Sequence, residues 1–170
     1  MNGHRSIYCS CDSDCDDDAV KLRTGLKQAD GTYKFGLESL LNQYGVDMWF
    51  NGHEHNYERM YDVEPLETFD YLAGTSQQTT TNPPGPIYIV TGDAGNGENH
   101  KPFVYPQPSR TAYRTVTFGY GSMTVYNSSH LFWQQIGYDH TVDPIVEGGV
   151  LDSFWLIQNN HGPFVNKSVI

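Results

Sequence analysis

Residues 35–50 constrain the fold more than any other stretch. Leu37, Leu40, Leu41 and Tyr44 recur at i, i+3, i+4 and i+7, which predicts an amphipathic helix over 35–44 with those four on its buried face. Gly45 follows and suits a helix C-cap, because it tolerates the left-handed backbone found there. Val46 to Phe50 then reads as a short buried strand. Helix, glycine and strand in that order make an α/β unit. A chain of 170 residues has room for one domain built on it.

The flanking sequence changes character along the chain. Val20, Leu22 and Leu26 predict a shorter helix over 19–27, with the preceding aspartates favoured by its dipole. Residues 65–86 are mostly polar and end in Pro83-Pro84-Gly85-Pro86, an exposed loop. Ile87 to Val90 is a β-branched strand, followed by the Gly-rich turn 91–97. Residues 101–110, with three prolines, read as irregular. Strand-like runs follow at Tyr113–Phe118, Ser122–Tyr126, His130–Ile136 and Val150–Ile157, with Asn127-Ser128-Ser129 as a hairpin turn. The chain therefore passes from α/β to consecutive antiparallel strands.

Charge and hydropathy exclude some classes of partner. Twenty acidic residues against ten basic ones give a net charge of -10, which argues against a nucleic-acid partner. No apolar run approaches the ~20 residues that a membrane-spanning helix needs. Residues 1–5 carry no apolar segment of the signal-peptide kind.

The strongest chemical signal is Asn51-Gly52-His53-Glu54-His55-Asn56-Tyr57-Glu58-Arg59. It leaves the end of the strand 46–50, where α/β sheets usually build their sites. Two imidazoles at i and i+2 in extended backbone point to one side, and neutral imidazole is a common ligand for zinc and iron. A bare His-x-His is as readily a pair of exposed loop histidines. The glycine before and the Tyr-Glu-Arg after make the pattern more specific.

That nonapeptide resembles the Gly-His-x-His-x-Tyr-Glu-Arg signature of the purple acid phosphatases, among the binuclear metallophosphoesterases. Gly3-His4-Arg5-Ser6-Ile7-Tyr8-Cys9-Ser10 resembles the family's Gly-His-Arg-Pro-Met-Tyr-Cys-Ser segment. Tyr44 to Asp47, Asn82-Pro83 with the strand and turn at 87–96, and Phe118-Gly119-Tyr120-Gly121 with Asn127 and Trp133 also match in order. The resemblance covers about residues 2–157 and is nearest the animal-type branch. It implies a metallophosphatase-type α/β/β/α sandwich, of which residues 1–170 are the C-terminal part with its antiparallel strands. It implies His4 and His53 as ligands of a divalent metal (Zn2+, Fe2+ or Mn2+) and His55 as a ligand of Fe3+. Tyr57, Glu58 and Arg59 become structural support. The implied activity is acid phosphatase: hydrolysis of phosphate monoesters at acidic pH by a metal-bound hydroxide. A secreted or lysosomal location goes with it.

The departures from the family pattern carry their own expectations. The family's earlier motifs, with two aspartates, an asparagine and a tyrosine, should precede the segment matching His4, and only three residues do. Asp30-Gly31-Thr32-Tyr33 is a chance match in a turn. The expectation is the C-terminal half of a phosphatase domain, inactive when isolated. Ser6 stands where the family has Pro, a change expected to loosen the loop holding His4.

Cys9, Cys11 and Cys15 fit either a Cys9–Cys15 disulfide, as in a secreted enzyme, or a zinc site, with the disulfide favoured. Asp12 to Asp18 reads as a solvated acidic loop. Asp93, Asn96 and His100 could face the cleft but read as structural, and His130, His140 and His161 as surface residues. Sequons at Asn127 and Asn166 permit glycosylation. Two rival readings remain: a folded, non-enzymatic fragment of the same architecture, and a cupin-like barrel holding one metal. The helix at 35–44 argues against the barrel.

Overall fold

The structure is a computed structural model that describes residues 1–11, 18–62, 78–139 and 146–164. In chain order the elements are β1 (Asn2–Gly3), α1 (Asp18–Thr24), β2 (Gly25–Lys27), β3 (Tyr33–Phe35), α2 (Leu37–Gln43), β4 (Met48–Asn51), β5 (Tyr57–Asp62), β6 (Thr79–Thr81), β7 (Ile87–Thr91), β8 (Thr111–Thr115), β9 (Gly119–Val125), β10 (His130–Asp139) and β11 (Val146–Ile157). A five-stranded sheet has the order β1-β4-β7-β5-β8, and a four-stranded sheet the order β6-β11-β10-β9. β1, β4 and β7 run parallel, whereas β5 pairs antiparallel with both β7 and β8. β9, β10 and β11 form an antiparallel meander, as their spacing in the sequence predicts.

Strand β7 shows how the layers are built. Side chains on a strand alternate between faces. Ile87 and Ile89 enter one core cluster with Met48, Tyr57, Trp133, Phe154 and Leu156, which lies between the two sheets. Tyr88 and Val90 enter a second cluster with Ile7, Leu41, Trp49 and Met60, which lies between the first sheet, α2 and the segment after β1. A strand apolar on both faces needs cover on both faces, and β7 has it. Among the described residues the layering is thus α/β/β, which excludes the cupin-like barrel.

Several sequence expectations shift. The helix predicted over 19–27 stops at Thr24, because Gly25 takes φ +88 and turns the chain into a small hairpin, β2–β3. Asp30 caps the turn of that hairpin by accepting from the Thr32 amide at 2.9 Å, so Asp30-Gly31-Thr32 is a turn and Tyr33 begins β3. The helix predicted over 35–44 covers Leu37–Gln43, and its buried face is Glu38, Leu41 and Asn42. Leu40 and Tyr44 are exposed. The face is rotated because Glu38 accepts from the Tyr8 hydroxyl, and the Asn42 carbonyl accepts from the Phe164 amide. Gly45 takes φ +60, as its C-cap role requires. Residues 57–62, for which the sequence predicts no strand, form β5. The last strand begins at Val146, four residues earlier than predicted.

Candidate metal centre

The parallel strands decide where the site lies. Asn2 and Gly3 of β1 pair with Phe50 and Asn51 of β4, and β4 pairs in register with β7. The carboxyl ends of these strands therefore share one edge of the sheet. His4 follows β1 directly, Gly52-His53 follows β4, and Gly92-Asp93 follows β7. Backbone approach at this edge is close. The Gly92 amide donates to the Asn56 carbonyl at 3.1 Å, and a Cβ on Gly92 would stand 2.1 Å from the Glu54 carbonyl oxygen. Only glycine fits there.

Two of the three predicted ligands converge. His4 Nε2 and His53 Nδ1 are 3.1 Å apart, with their rings edge to face. The loop does not use the extended backbone that the His-x-His spacing suggests. His53 takes φ +66, and the loop folds back twice, with Glu54 N–H donating to Gly52 O and Asn56 N–H to Glu54 O, both at 2.8 Å. A non-glycine residue in the left-handed region is strained, and such strain gathers at sites. Burial lowers the His53 pKa, with Arg5 and His4 adding to it and Glu54 opposing. The neutral imidazole so favoured is the metal-binding form. His55, half-buried, lies with Nδ1 3.7 Å from a Glu98 carboxylate oxygen.

Ser6 does the reverse of what its replacement of Pro suggests. It is buried, and its Oγ accepts from Asn51 Nδ2 at 2.6 Å. That bond ties the segment carrying His4 to the end of β4, which carries His53.

The second half of the nonapeptide is structural, as expected, and alternation on β5 shows why. Tyr57 and Arg59 face the second sheet. Arg59 Nε and Nη2 donate to the two Asp152 oxygens at 2.7 and 2.9 Å, and the Tyr57 hydroxyl donates to Asp152 at 2.8 Å. Trp133 Nε1 donates to the Tyr57 hydroxyl at 3.0 Å, and the Arg59 guanidinium covers the Phe154 ring. Glu58 points the other way, accepting from the Ser10 amide at 2.7 Å and the Thr111 hydroxyl at 2.5 Å. Burial raises the Glu58 pKa against the pull of those two bonds. So β5 locks the sheets together on one face and anchors the segment after His4 on the other.

The loop after β7 contributes more to the site than its sequence suggests. Asp93 is fully buried and accepts from Gln135 Nε2 at 2.7 Å. Burial pushes its carboxyl up to about 6, against the pull of its hydrogen bonds. His100 packs on Phe118 and its Nδ1 contacts the His55 carbonyl oxygen, so it braces the histidine loop directly. The only sequence signal for this role was its place after a Gly-rich turn. Asn96 is structural, as expected, accepting from the Glu98 amide at 2.8 Å. His161 contacts Ser128 and Asp47, and His130 contacts Ser129. His140 and the cluster Asp12 to Asp18 lie outside what is described of the side chains.

Cys9 is disulfide-bonded, while Cys11 is a buried thiol donating to Glu54 Oε2 at 3.3 Å. Burial raises the Cys11 thiol far above its ordinary range. Cys15 lies outside the described residues, and with it the predicted pairing.

This arrangement is that of a metallophosphatase-type sandwich with a histidine-bearing edge. Residues 85–153 match the family described as iron/zinc purple acid phosphatase-like protein C. Acid phosphatase type 7 of Danio rerio is 35% identical over 164 residues, covering 95% of this chain and 34% of that protein. The Fe(3+)-Zn(2+) purple acid phosphatase 12 of Arabidopsis thaliana is 30% identical over 132 residues, 75% of this chain and 27% of that protein. In structure the chain resembles purple acid phosphatase PPD1 from yellow lupin seeds, with a TM-score of 0.61 and 24% identity, over 92% of this chain and 24% of that one. The chain is thus similar to acid phosphatases over most of its length, and to the purple acid phosphatase family model over residues 85–153. It spans about a third of the length of the acid phosphatase type 7 relative.

Proposed function

We propose that this chain supplies the histidine side of a binuclear metal centre that hydrolyses phosphate monoesters at acidic pH. In this reading His4 and His53 hold a divalent ion (Zn2+, Fe2+ or Mn2+) and His55 holds Fe3+. The observation that carries it is the 3.1 Å approach of His4 Nε2 and His53 Nδ1 at the strand ends. Two nitrogens on one tetrahedral ion, each at about 2.0–2.1 Å, stand about 3.3 Å apart. The pair therefore needs almost no movement to share a cation. The printed name of the Arabidopsis relative, Fe(3+)-Zn(2+), supports the choice of ions. When bound, such ions offset charge on the phosphate oxygens and acidify a water.

The chain's own residues hold the geometry. Ser6 and Asn51 join the two ligand-bearing segments, Gly92 lets the third loop close against them, and His100 braces His55. Three imidazoles are fewer donors than two ions require, since even a four-coordinate ion takes three or four protein ligands. We assign the remaining donors to carboxylates outside this chain, because Fe3+ is a hard ion. Alone, the chain then binds metal without turnover. Among the described residues β1 is an edge strand of the five-stranded sheet, next to a cleft of about 420 Å3.

The reading extends to a secreted or lysosomal glycoprotein. The Cys9 disulfide suits an oxidising compartment, and the Asn127 sequon stands exposed at the tip of the β9–β10 hairpin. Asn166 lies outside the described residues.

Loading the purified chain with iron and zinc, then measuring bound metal by elemental mass spectrometry and turnover of an aryl phosphate at acidic pH, tests the proposal. The expected result is zinc uptake that His53→Ala abolishes, without turnover. Uptake undiminished in His53→Ala would overturn the ligand assignment. Two tightly held metals with turnover would overturn the need for outside donors.

A further inference from the structure

On the buried side of the histidine loop lie four donor groups that the phosphatase reading leaves unused. Cys9 and Cys11 form a Cys-x-Cys pair, and both are fully buried. Cys9 Sγ, Cys11 Sγ and a Glu54 carboxylate oxygen all lie within 4.8 Å of one another. Glu54 is 2% exposed and already takes the Cys11 thiol hydrogen bond. Asn56 is the fourth group. It is fully buried, its carboxamide nitrogen bears on the Cys11 sulfur, and its carboxamide oxygen lacks a partner. A buried amide oxygen left unsatisfied is costly and calls for an explanation.

The spacing suits a metal. With Zn–S at about 2.3 Å and Zn–O at about 2.0–2.2 Å, tetrahedral ligand atoms stand about 3.3–3.8 Å apart. Drawing the cluster onto one ion therefore needs a contraction of no more than about 1.5 Å at its widest. Two thiolates with two oxygens favour a thiophilic ion over calcium or magnesium. One obstacle remains: the Cys9 sulfur is held in a disulfide.

We propose that reduction of the Cys9 disulfide opens a buried metal site, separate from the exposed histidines, in which Cys9, Cys11, Glu54 and Asn56 Oδ1 hold Zn2+ or a similar thiophilic divalent cation. The step balances with a phosphine as reductant. Phosphorus takes the oxygen of one water and becomes the phosphine oxide. The S–S bond breaks, and the two protons of that water go to Cys9 and its former partner. Metal binding then releases the thiol protons of Cys9 and Cys11 to solvent. Glu54 stands between His53 and His55 in the chain, so a cation drawing on its carboxylate acts on the backbone that carries both histidines.

The test uses the whole chain carrying His53→Ala, which silences the exposed pair, with Co2+ as the probe. After phosphine reduction, one equivalent of Co2+ is expected to give a thiolate-to-cobalt charge-transfer band that Zn2+ removes. The unreduced chain should show no band. Cys11→Ser should abolish it, and Glu54→Gln should keep it while weakening Co2+ at least tenfold. Circular dichroism on each sample reports the fold. No band in the reduced, folded chain would overturn the proposal, as would an undiminished band in Cys11→Ser. Loss of the fold on reduction would overturn it equally, since the site needs the fold to gather its donors.

Discussion

One nonapeptide builds two regions of opposite character. Its first half, Gly52 to His55, forms a half-exposed rim of imidazoles on a bent, strained loop at the sheet edge. Its second half, Tyr57 to Arg59, is fully buried on β5 and bonded to both neighbouring layers. The rim is partly exposed and has few internal partners. The lock has a partner for almost every polar atom and no room. A signature can thus be half chemistry and half scaffold, and the scaffold half is what lets the other half be strained.

Breaking the lock should have the largest effect on stability. Asp152→Ala leaves the Arg59 guanidinium, 2% exposed, without its counter-charge. The expected loss is about 3–5 kcal/mol, read from urea unfolding, because an uncompensated buried charge remains. A loss under about 1 kcal/mol would mean that the lock does not hold the two sheets together.

Asp93 sharpens the comparison through pH. Its carboxyl sits near 6 in the fold against an ordinary 3.8, so the native state holds this proton more tightly than the unfolded chain does. The contribution is fully present below the unfolded value and is lost as pH rises through the folded one. Between these values stability should fall with rising pH by up to about 3 kcal/mol. Asp93→Asn should flatten that part of the stability–pH curve, and an unchanged slope would contradict the assignment.

Glu58→Gln comes next. A carboxamide can answer only one of the two donors, Ser10 N–H and Thr111 O–H, with an oxygen. A loss of about 1–3 kcal/mol is expected in thermal or urea unfolding. Smallest of all should be His53→Ala, at under about 1 kcal/mol, since its ring is half-exposed and makes no core contact. Equal stability losses at His53 and Glu58 would erase the distinction between rim and lock.

Much of the architecture was legible where apolar periodicity decides structure. The strand at 87–90, covered on both faces, announced itself by four consecutive apolar residues. β5 did not, because the charged Glu58 and Arg59 break its apolar pattern. They are buried only because Ser10, Thr111 and Asp152, distant in sequence, supply partners. The rotation of α2 was hidden for the same reason: polar Glu38 faces inward to meet Tyr8, Asn42 is buried beside it, and Leu40 and Tyr44 turn out to solvent. At the site, the resemblance named His4, His53 and His55. The His4–His53 approach and the support from Ser6 and His100 needed the fold.

In the proposed centre His4 and His53 act as one ligand pair. The most direct measurement is a Zn2+ titration by calorimetry of the wild-type chain, His4→Ala, His53→Ala and the double variant. A shared ion predicts that each single substitution weakens binding nearly as much as the double one, so that the effects are far from additive. Independent, additive losses, or no loss in either single variant, would contradict it.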